Sequence, residues 1–301
     1  MLLLIGCSRQ ETRVGVLVSG PGRMERVTGL VQALKENYPE LRIDICNGQG
    51  SPAHLQRCAR ELESQGARVL VTVGGIETQS ALAGTHRVPI LYVGLAASLD
   101  WGFVKDLRAP GGRVSGVDNG YAELTGKRLE WWVRAFPETR RVLVLYQPEV
   151  IPTPRALAHL ERASETLGVA LIRFPVQSAE DLVRLKSALN SPRPNAALIL
   201  PSHILENHLD SLIARLNEAG IPLIGLNREQ TRRGAALAFG ASNRALGRQG
   251  ARMVAKLLAG YPVAALPVER PDLPELTLNP RALGPLGLSP APWVLDLAQT
   301  P

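Results

Sequence analysis

The stretch Arg68-Val-Leu-Val-Thr-Val-Gly-Gly-Ile-Glu77 contains the unit from which this chain is built. A short apolar run ends at two glycines, and a helix-forming segment begins directly after them. Apolar runs that are bounded by glycine or proline and separated by helices are typical of parallel strands buried on both faces. The same alternation starts at Arg13 and recurs along most of the 301 residues. The pattern predicts an α/β fold with right-handed crossovers and helices on both faces of each sheet.

The alternation breaks around Ala109-Pro-Gly-Gly-Arg113 and restarts after Pro137, which predicts two doubly wound parallel-sheet lobes joined by a hinge. The predicted strands are Val14–Val18, Leu41–Cys46, Arg68–Val73, Pro89–Val93, Arg113–Val117, Arg141–Tyr146, Ala170–Phe174, Ala196–Leu200, Pro222–Gly225 and Ala235–Phe239, followed by short β-like pieces at Val268–Arg270 and Glu275–Leu278. The predicted helices are 23–38, 52–65, 76–82, 121–135, 155–167, 179–189, 204–219 and 243–258.

The composition and charge exclude several classes of protein. With 45% hydrophobic residues, 28 Gly and 23 Pro, the chain is neither disordered nor collagen-like. The formal charge of +7 comes from 34 Lys and Arg against 27 Asp and Glu, and these basic residues are spread along the chain rather than gathered in one run. Since only 4% of the residues are aromatic, there is little to stack on bases, and nucleic-acid binding is not expected.

The first seven residues, Met1-Leu-Leu-Leu-Ile-Gly-Cys7, end in a match to a bacterial lipobox, and a polar segment, Ser8–Thr12, follows. A complete lipoprotein signal also has a basic region and a longer apolar stretch, and both are missing. We interpret the segment as the remnant of a lipoprotein signal, with Cys7 as the acylated residue; the alternative is an accidental apolar N-terminus. This interpretation predicts an exported protein, in the periplasm or on the outer face of the cell membrane, held to the membrane through a lipid anchor only.

The chain is thus expected to have four parts. Residues 1–12 are the lipoprotein signal remnant and tether, and residues 13–118 form the N-terminal lobe. Residues 119–265 form the C-terminal lobe, with the helix in 240–265 near the hinge. Residues 266–301 return across the hinge, so that more than one connection joins the lobes.

The remaining cysteines, Cys46 and Cys58, have no Cys-x-x-Cys spacing, so neither zinc binding nor dithiol chemistry is expected. Cys46 ends a predicted strand and Cys58 lies in the next predicted helix, where a disulfide between them is conceivable. Two ordinary buried thiols are the favoured interpretation.

Residues that directly follow the predicted strands are the candidates for ligand binding, because ligands bind beyond the carboxyl ends of the strands in open parallel sheets. Two lobes whose strand ends face each other form a cleft that can close on a small molecule. We expect backbone and hydroxyl hydrogen bonds from these residues, with Tyr146 as a stacking face. The predicted ligand contacts are Ser19, Gly75, Ile76, Ala96, Tyr146, Gln147, Ser202, His203, Asn227 and Ser242.

Motifs of known catalytic sites are absent from the sequence. Gly20-Pro-Gly22 follows the first predicted strand but lacks the third glycine of a dinucleotide loop and the Gly-Lys-Ser/Thr of a P-loop. The chain has neither a Gly-x-Ser-x-Gly elbow nor a His-Glu-x-x-His motif. His203 and His208 are five residues apart, which does not place them on one helical face for a metal. We expect no enzymatic activity, no cofactor and no metal; His203 is interpreted as a solvated helix start, with a polar cleft lining as the alternative.

Four motifs, in this order and spacing, give the chain a family resemblance: Pro110-Gly-Gly-Arg-Val-Ser-Gly-Val117, Val142-Leu-Val-Leu-Tyr-Gln-Pro148, Leu246-Gly-Arg-Gln249 and Leu278-Asn-Pro-Arg-Ala-Leu-Gly284. From Val14 to Leu288 the chain resembles the ABC transporter substrate-binding proteins whose characterised members bind aromatic amino acids. The resemblance implies a periplasmic-binding-protein-like fold of type I. It also implies a receptor that binds a small molecule in the cleft between its lobes, without catalysis, and presents it to an ABC permease.

The chain departs from this family at the polar positions that suit an α-amino acid. Gly75-Ile76, followed by Glu77, stands where the family tends to have Thr-Pro, and Ala96-Ala97 stands where it tends to have Thr-Asp. Ser242 replaces an Asp suited to a ligand ammonium, and Pro201-Ser-His203 replaces Pro-Thr-Asp. A site that loses buried charges prefers a ligand that also lacks them. The expected ligand is therefore amino-acid-like or weakly charged, and aromatic compounds are among those expected.

Two functions stay open at this point. The first is the membrane-tethered solute receptor, which the polar residues Gln147, Asn227 and Asn243 at strand ends favour. The second is a ligand-poor sensor or scaffold of the same fold that docks a membrane partner, which the loss of the family's polar residues favours. An enzyme built on paired Rossmann halves is the least favoured class.

Overall fold

The structure, a computed structural model, describes residues 11–190 and 192–301 apart from the side chains of residues 187 and 188. Cys7, the predicted acylation site, lies outside the described residues. The strands are β1 (Arg13–Val18), β2 (Arg42–Asn47), β3 (Ala67–Thr72), β4 (Ile90–Leu95), β5 (Val114–Asp118), β6 (Arg141–Tyr146), β7 (Ala170–Pro175), β8 (Ala196–Ile199), β9 (Leu223–Gly225), β10 (Leu237–Gly240) and β11 (Glu275–Leu278). The α-helices are α1 (Met24–Asn37), α2 (Pro52–Ser64), α3 (Gly75–Gly84), α4 (Thr125–Ala135), α5 (Thr153–Leu167), α6 (Leu185–Ala188), α7 (His203–Asn207), α8 (Leu209–Glu218), α9 (Arg228–Arg232), α10 (Asn243–Leu258), α11 (Pro280–Leu283) and α12 (Pro292–Leu297). In this part of the chain, no helix has both the length and the apolar character needed to cross a bilayer.

The first sheet has the strand order β2-β1-β3-β4-β5, and its strands are parallel. Every residue of β4 and β5 is buried, whereas the edge strand β2 is partly exposed. One face of the sheet packs on α1 and α10, and the opposite face packs on α2 and α3. This sheet and the helices that cover it are called the first lobe below.

The second sheet has the order β11-β10-β9-β8-β6-β7 and is parallel except for β11, which pairs antiparallel with β10. Helices α7 and α8 cover one face, and α4 and α5 cover the other. This sheet and these helices are called the second lobe. The predicted fold class, two doubly wound parallel-sheet lobes, is confirmed.

The helices of the second lobe depart from the sequence prediction in three places. The predicted helix 204–219 is divided at His208, whose φ of −103° and ψ of 21° leave the helical range. In the predicted helix 179–189, Ala179–Val183 is a 3₁₀ turn that precedes the short α6. Helix α9 was not predicted; it begins because the Asn227 side chain accepts the backbone N–H of Gln230 as an N-cap.

Helix α10 lies on the first sheet, although residues 119–265 were expected to form the C-terminal lobe. It crosses α1 closely at two glycines. A Cβ atom at Gly29 would clash with the backbone oxygen of Arg244, and one at Gly247 would clash with the backbone oxygen of Arg26. At these two glycines the backbones of α1 and α10 approach closely, so α10 packs beside α1 on the first sheet.

The segment after α10 contacts both sheets. Glu269 forms an isolated bridge with Val117 of β5, and its N–H donates to the Gly116 carbonyl at 2.9 Å. The predicted piece Val268–Arg270 is thus a single bridge, whereas the predicted piece Glu275–Leu278 is the strand β11. Residues 266–301 connect the two sheets for a third time, because the chain has already passed from the first sheet to the second before α4 and back between β10 and α10.

Cys46 and Cys58 form a disulfide, so the interpretation of two free thiols is wrong. Cys46 lies in β2 and Cys58 in α2, and their Cα atoms are 6.3 Å apart. This separation lies within the range that a disulfide spans. The bond ties the partly exposed edge strand of the first sheet to the helix that packs on it.

Candidate functional site

A cavity of about 440 Å³ lies between the two lobes, at the carboxyl ends of the strands. Its first-lobe wall comes from the start of α1, the N-terminus of α3 and the loop after β4. Its second-lobe wall comes from the loop after β6 and the start of α7. The lining residues are Arg23, Arg26, Gly74, Gly75, Ile76, Gln79, Gly94, Leu95, Ala96, Trp101, Phe103, Asn119, Gln147, Glu149, Val150, Ile151, Pro152, Pro201, Ser202, His203 and Glu206.

Six of the ten predicted ligand contacts line this cavity: Gly75, Ile76, Ala96, Gln147, Ser202 and His203. The Ser202 hydroxyl donates to Gln147 Oε1 at 2.9 Å and also accepts the N–H of Leu205 as the N-cap of α7. His203 is half-buried in the wall rather than solvated. Burial, and then the charge of Arg23, lower the pKa of His203, so its imidazole is neutral at neutral pH and can both donate and accept.

The other four predicted contacts do not line the cavity. The Ser19 N–H donates to Glu77, and the side chains of Asn227 and Ser242 are the N-caps of α9 and α10. The ring of Tyr146 packs against the core of the second lobe. A position directly after a strand does not by itself distinguish a helix cap from a residue that lines the cavity.

A network of four buried charges at the cavity was missed by the sequence analysis. Arg23 Nη1 donates to both carboxylate oxygens of Glu77, at 3.2 and 3.0 Å. Glu206 of the second lobe lies 3.6 Å from Arg23 Nε and 3.5 Å from Arg26 Nη2. A signal was present in the sequence: Arg23 and Arg26 continue, at helical spacing, the apolar stripe of α1 that includes Leu30. Charged residues on the buried face of a helix need buried partners.

Arg23 and Glu77 stabilise each other in their ionised forms. Burial alone raises the pKa of Glu77, but the charge of Arg23 and the hydrogen bonds from Ser19 outweigh it and hold this pKa below its ordinary value. Burial alone would lower the pKa of Arg23, but the charges of Glu77 and Glu206 hold it above its ordinary value. The network thus contains two acidic and two basic side chains, whose formal charges balance.

An aromatic wall on the first-lobe side was also missed. Trp101 and Phe103, in the loop after β4, stack with ring centroids 5.3 Å apart and planes 18° apart. The indole of Trp101 lies against Gly75, where any Cβ atom would clash with the ring. The N-terminus of α3 is thus covered from one side by Trp101, and the Glu77 carboxylate occupies the other side.

Direct contacts between the lobes flank the cavity. Near the loop that carries Trp101, Arg155 of α5 forms an ion pair with Asp100, and its Nε donates to Asp100 Oδ2 at 2.6 Å. On the opposite side, the Gly22 N–H donates to Asn207 Oδ1 at 3.1 Å. The lobes therefore stand in a closed arrangement around the cavity.

One group of side chains in the described part of the chain has the composition of a metal site: Cys46, His54 and Cys58, with ligand atoms within 4.8 Å of one another. The two sulfur atoms are bonded to each other, so they do not offer thiolates to a metal. The cavity residues include no such group.

Comparison with known proteins agrees with this architecture. The sequence model of a family described as ABC transporter substrate binding protein matches residues 11–300. The tyrosine-binding protein of Clostridioides difficile (strain R20291) is 21% identical over 287 residues, which cover 93% of this chain and 82% of that protein. A conserved domain protein from Vibrio cholerae O1 biovar eltor has a TM-score of 0.88 at 22% identity, covering 97% of this chain and 99% of that chain. An ABC domain from Streptococcus pneumonia in complex with L-Trp also has a TM-score of 0.88, at 19% identity and with 96% and 99% coverage.

The match of the family spans both lobes and the segment that links them, and the fold is the periplasmic-binding-protein-like fold of type I. The chain belongs to the ABC transporter substrate-binding protein family, whose members bind a solute for an ABC-type transporter.

Proposed function

We propose that this protein binds a small solute of little or no net charge, carrying an aromatic or other flat ring, in the cavity between its lobes. It presents the closed form to an ABC permease, and no bond of the solute is made or broken. A ligand that contacts both lobes favours the closed state by its differential affinity for that state. The Ser202 hydroxyl at the cavity donates to Gln147 Oε1 and not to a general base, which the activated nucleophile of covalent catalysis would need.

The observation that carries the charge preference is the compensated network around the cavity. Arg23 and Arg26 each face a carboxylate of this protein, so neither has a charge left for an anionic ligand. A ligand with a net charge would leave water without a buried partner of opposite sign, which costs several kcal/mol. A neutral or zwitterionic molecule avoids this cost and can use the neutral groups of Gln147, Ser202 and His203.

The aromatic wall supports a ring in the ligand. Trp101 and Phe103 line the cavity and are already stacked on each other, so a third ring can join them at a low cost in side-chain entropy. The names of two similar proteins point the same way, since one is called tyrosine-binding and the other was solved with L-Trp.

A thermal-shift screen tests this proposal. The panel contains aromatic amino acids, neutral heteroaromatic compounds, nucleosides and sugars, each beside a charged analogue. A ligand at about 100 times its Kd stabilises the protein by about 2.7 kcal/mol, which is a shift of several degrees. A preference for the charged analogues would contradict the proposal. No stabilisation by any compound would instead favour the sensor or scaffold alternative.

A matched pair of variants tests the cavity itself. Trp101→Ala removes the ring that lines the cavity, and we expect the affinity for a compound found in the screen to fall about tenfold. Leu99→Ala removes an exposed side chain from the same loop and should leave the affinity unchanged. Equal effects of the two substitutions would show that the ligand binds elsewhere.

Membrane attachment through Cys7 is a separate part of the proposal. It rests on the lipobox in the sequence, and the Cys46–Cys58 disulfide supports an exported location because disulfides persist in oxidising compartments. Expression of the natural gene with its upstream region should yield a protein that partitions into detergent, and Cys7→Ser should move it to the aqueous phase. A wild-type protein found only in the aqueous phase would contradict lipid anchoring.

A further inference from the structure

Glu206 is a second-lobe carboxylate that is buried against two arginines of the first lobe. Its Oε2 atom lies 3.5 Å from Arg26 Nη2 and 3.6 Å from Arg23 Nε. The side chains of Glu206, Arg23 and Arg26 are 6%, 10% and 2% exposed, so water screens these pairs little. Unlike Glu77, which belongs to the same lobe as its arginine, Glu206 reaches across the cleft.

Hydrogen bonds within the first lobe fix the guanidinium of Arg26 in a position where it can bind a carboxylate. Arg26 Nε donates to Asn243 Oδ1 at 2.6 Å, and Nη1 donates to the carbonyl oxygens of Val73 and Gly94 at 3.0 and 3.1 Å. These contacts all come from within the first lobe, since α10 also lies on that sheet. They fix the guanidinium, and they leave Nη2 as the edge that faces Glu206. A fixed arginine with one free edge is a site for a carboxylate.

The backbone around Glu206 is also docked on the first lobe. The neighbouring side chain of Asn207 accepts the N–H of Gly22 at 3.1 Å. A Cβ atom at Gly22 would lie only 2.6 Å from the backbone oxygen of Glu206, so only a glycine permits this approach. The end of α7 therefore sits close enough to the start of α1 for Glu206 to reach both arginines.

We infer that Glu206 is a built-in anion that determines specificity: it occupies the carboxylate site formed by Arg23 and Arg26, excludes anionic ligands from it and holds the cleft closed without a ligand. This inference rests on the proposed receptor function for its biological meaning, but its test needs no knowledge of the solute.

Chemical rescue of a truncated Glu206 tests the inference. Glu206→Ala removes a group of the size of acetate and leaves two buried arginines with one carboxylate, Glu77, between them. We expect a lower Tm than wild type and, by small-angle scattering of the ligand-free protein, a larger radius of gyration. Sodium acetate should raise the Tm of this variant and contract it, while sodium chloride at the same ionic strength should not. Wild type should show no response specific to acetate.

Two control variants separate this effect from general ones. Glu149→Ala removes an exposed carboxylate from the rim of the same cavity, and we expect neither opening nor an acetate response. Combining Glu206→Ala with Arg26→Met removes the anchored arginine, and the acetate response should be lost or much weakened. A double variant that responds to acetate as strongly as Glu206→Ala would place the acetate elsewhere.

Each outcome decides the matter. A Glu206→Ala protein with the wild-type radius of gyration, or a wild-type protein that responds equally to acetate, overturns the inference. If Glu206→Ala does not fold, the isosteric variant Glu206→Gln is measured instead, and we expect its radius of gyration to exceed that of wild type. If Glu206→Gln does not fold either, Glu206 is needed for the stability of its lobe, and the inference is overturned as well. An empty result in the ligand screen with successful acetate rescue would refute the proposed ligand class and leave the role of Glu206 standing.

Discussion

Replacement of Glu77 by glutamine is the sharpest test of the buried charge network. Glu77 is fully buried, and its carboxylate accepts the N–H of Ser19 at 2.9 Å and two hydrogen bonds from Arg23. The amide introduced by Glu77→Gln would keep the shape of the side chain and could still accept from Ser19, but it would carry no charge. Arg23, only 10% exposed, would then depend on Glu206, 3.6 Å away, for its neutralisation.

The size of the effect follows from these contacts. Removing one partner of a buried ion pair typically costs about 3–5 kcal/mol, because a buried charge is left without compensation. Since Glu206 remains near Arg23, we expect the lower end, about 3 kcal/mol. For a chain of this length, about 2 °C per kcal/mol gives a fall in Tm of about 6 °C.

Calorimetry or circular dichroism measures this change against Glu149→Gln. Glu149 is an exposed carboxylate at the same cavity, and its replacement should change the free energy of unfolding by less than about 0.5 kcal/mol. If Glu77→Gln unfolds within about 1 °C of wild type, the pair with Arg23 contributes little, and the argument for a cavity compensated from within fails.

The pH dependence of the same variant gives an independent check. The pKa of Glu77 lies below its ordinary value of 4.5 in the folded protein, so its contribution to stability is fully present above that value. The contribution is lost as the pH falls through the folded-state pKa, where the carboxylate of the folded protein is protonated. The difference in Tm between wild type and Glu77→Gln should therefore be constant near neutral pH and shrink below about pH 4. A difference that grew on acidification would contradict the assigned direction.

Two further predictions concern the scaffold. Gly29→Ala should lower the free energy of unfolding by about 1–3 kcal/mol or more in urea denaturation, because a Cβ atom there would push α1 away from the backbone of α10. The control Gly112→Ala should be nearly neutral, since nothing lies within 4 Å of the added Cβ atom. Equal effects of the two substitutions would contradict the close crossing of the helices. Reduction of the Cys46–Cys58 disulfide, which spans a sequence separation of 12 residues, should cost about 3 kcal/mol on the chain-entropy estimate, measured by urea denaturation with and without dithiothreitol. A variant with both cysteines replaced by serine should be insensitive to dithiothreitol, and a wild type equally insensitive would show that the bond contributes no stability.

The elements that local sequence determines were predicted well. Strands such as Arg141–Tyr146 and the long helix Asn243–Leu258 were predicted with the bounds that the structure shows. For an apolar run between glycines, or an amphipathic stretch that starts after a capping serine, the flanking residues indicate where the strand or helix begins and ends. The expectation that a ligand binds beyond the carboxyl ends of the strands also pointed to the cavity, since residues such as Gly75 and Gln147 line it.

The features that were missed depend on contacts between distant parts of the chain. Helix α10 packs beside α1, and the close crossing of the two helices is permitted by Gly29 and Gly247, which are far apart in sequence. The disulfide between Cys46 and Cys58 depends on how α2 lies against the edge of the sheet. The residue pattern within one element does not predict these features, because they depend on how one element packs on another.

The charged residues of the cavity were not among the predicted ligand contacts, because they do not directly follow the strands. The cavity draws its charges from α1 and α7, at Arg23, Arg26 and Glu206, and not only from the loops after the strands. Because Glu206 and the arginines belong to different lobes, the same contacts that neutralise the cavity also connect its two walls. If these contacts keep the empty cleft closed, little of the ligand's binding free energy is needed to close the lobes, and its apparent affinity approaches that of the closed state. The same arrangement reduces the structural difference between empty and loaded protein. A permease would then have to recognise loading through local changes near the cavity rather than through a large movement of the lobes.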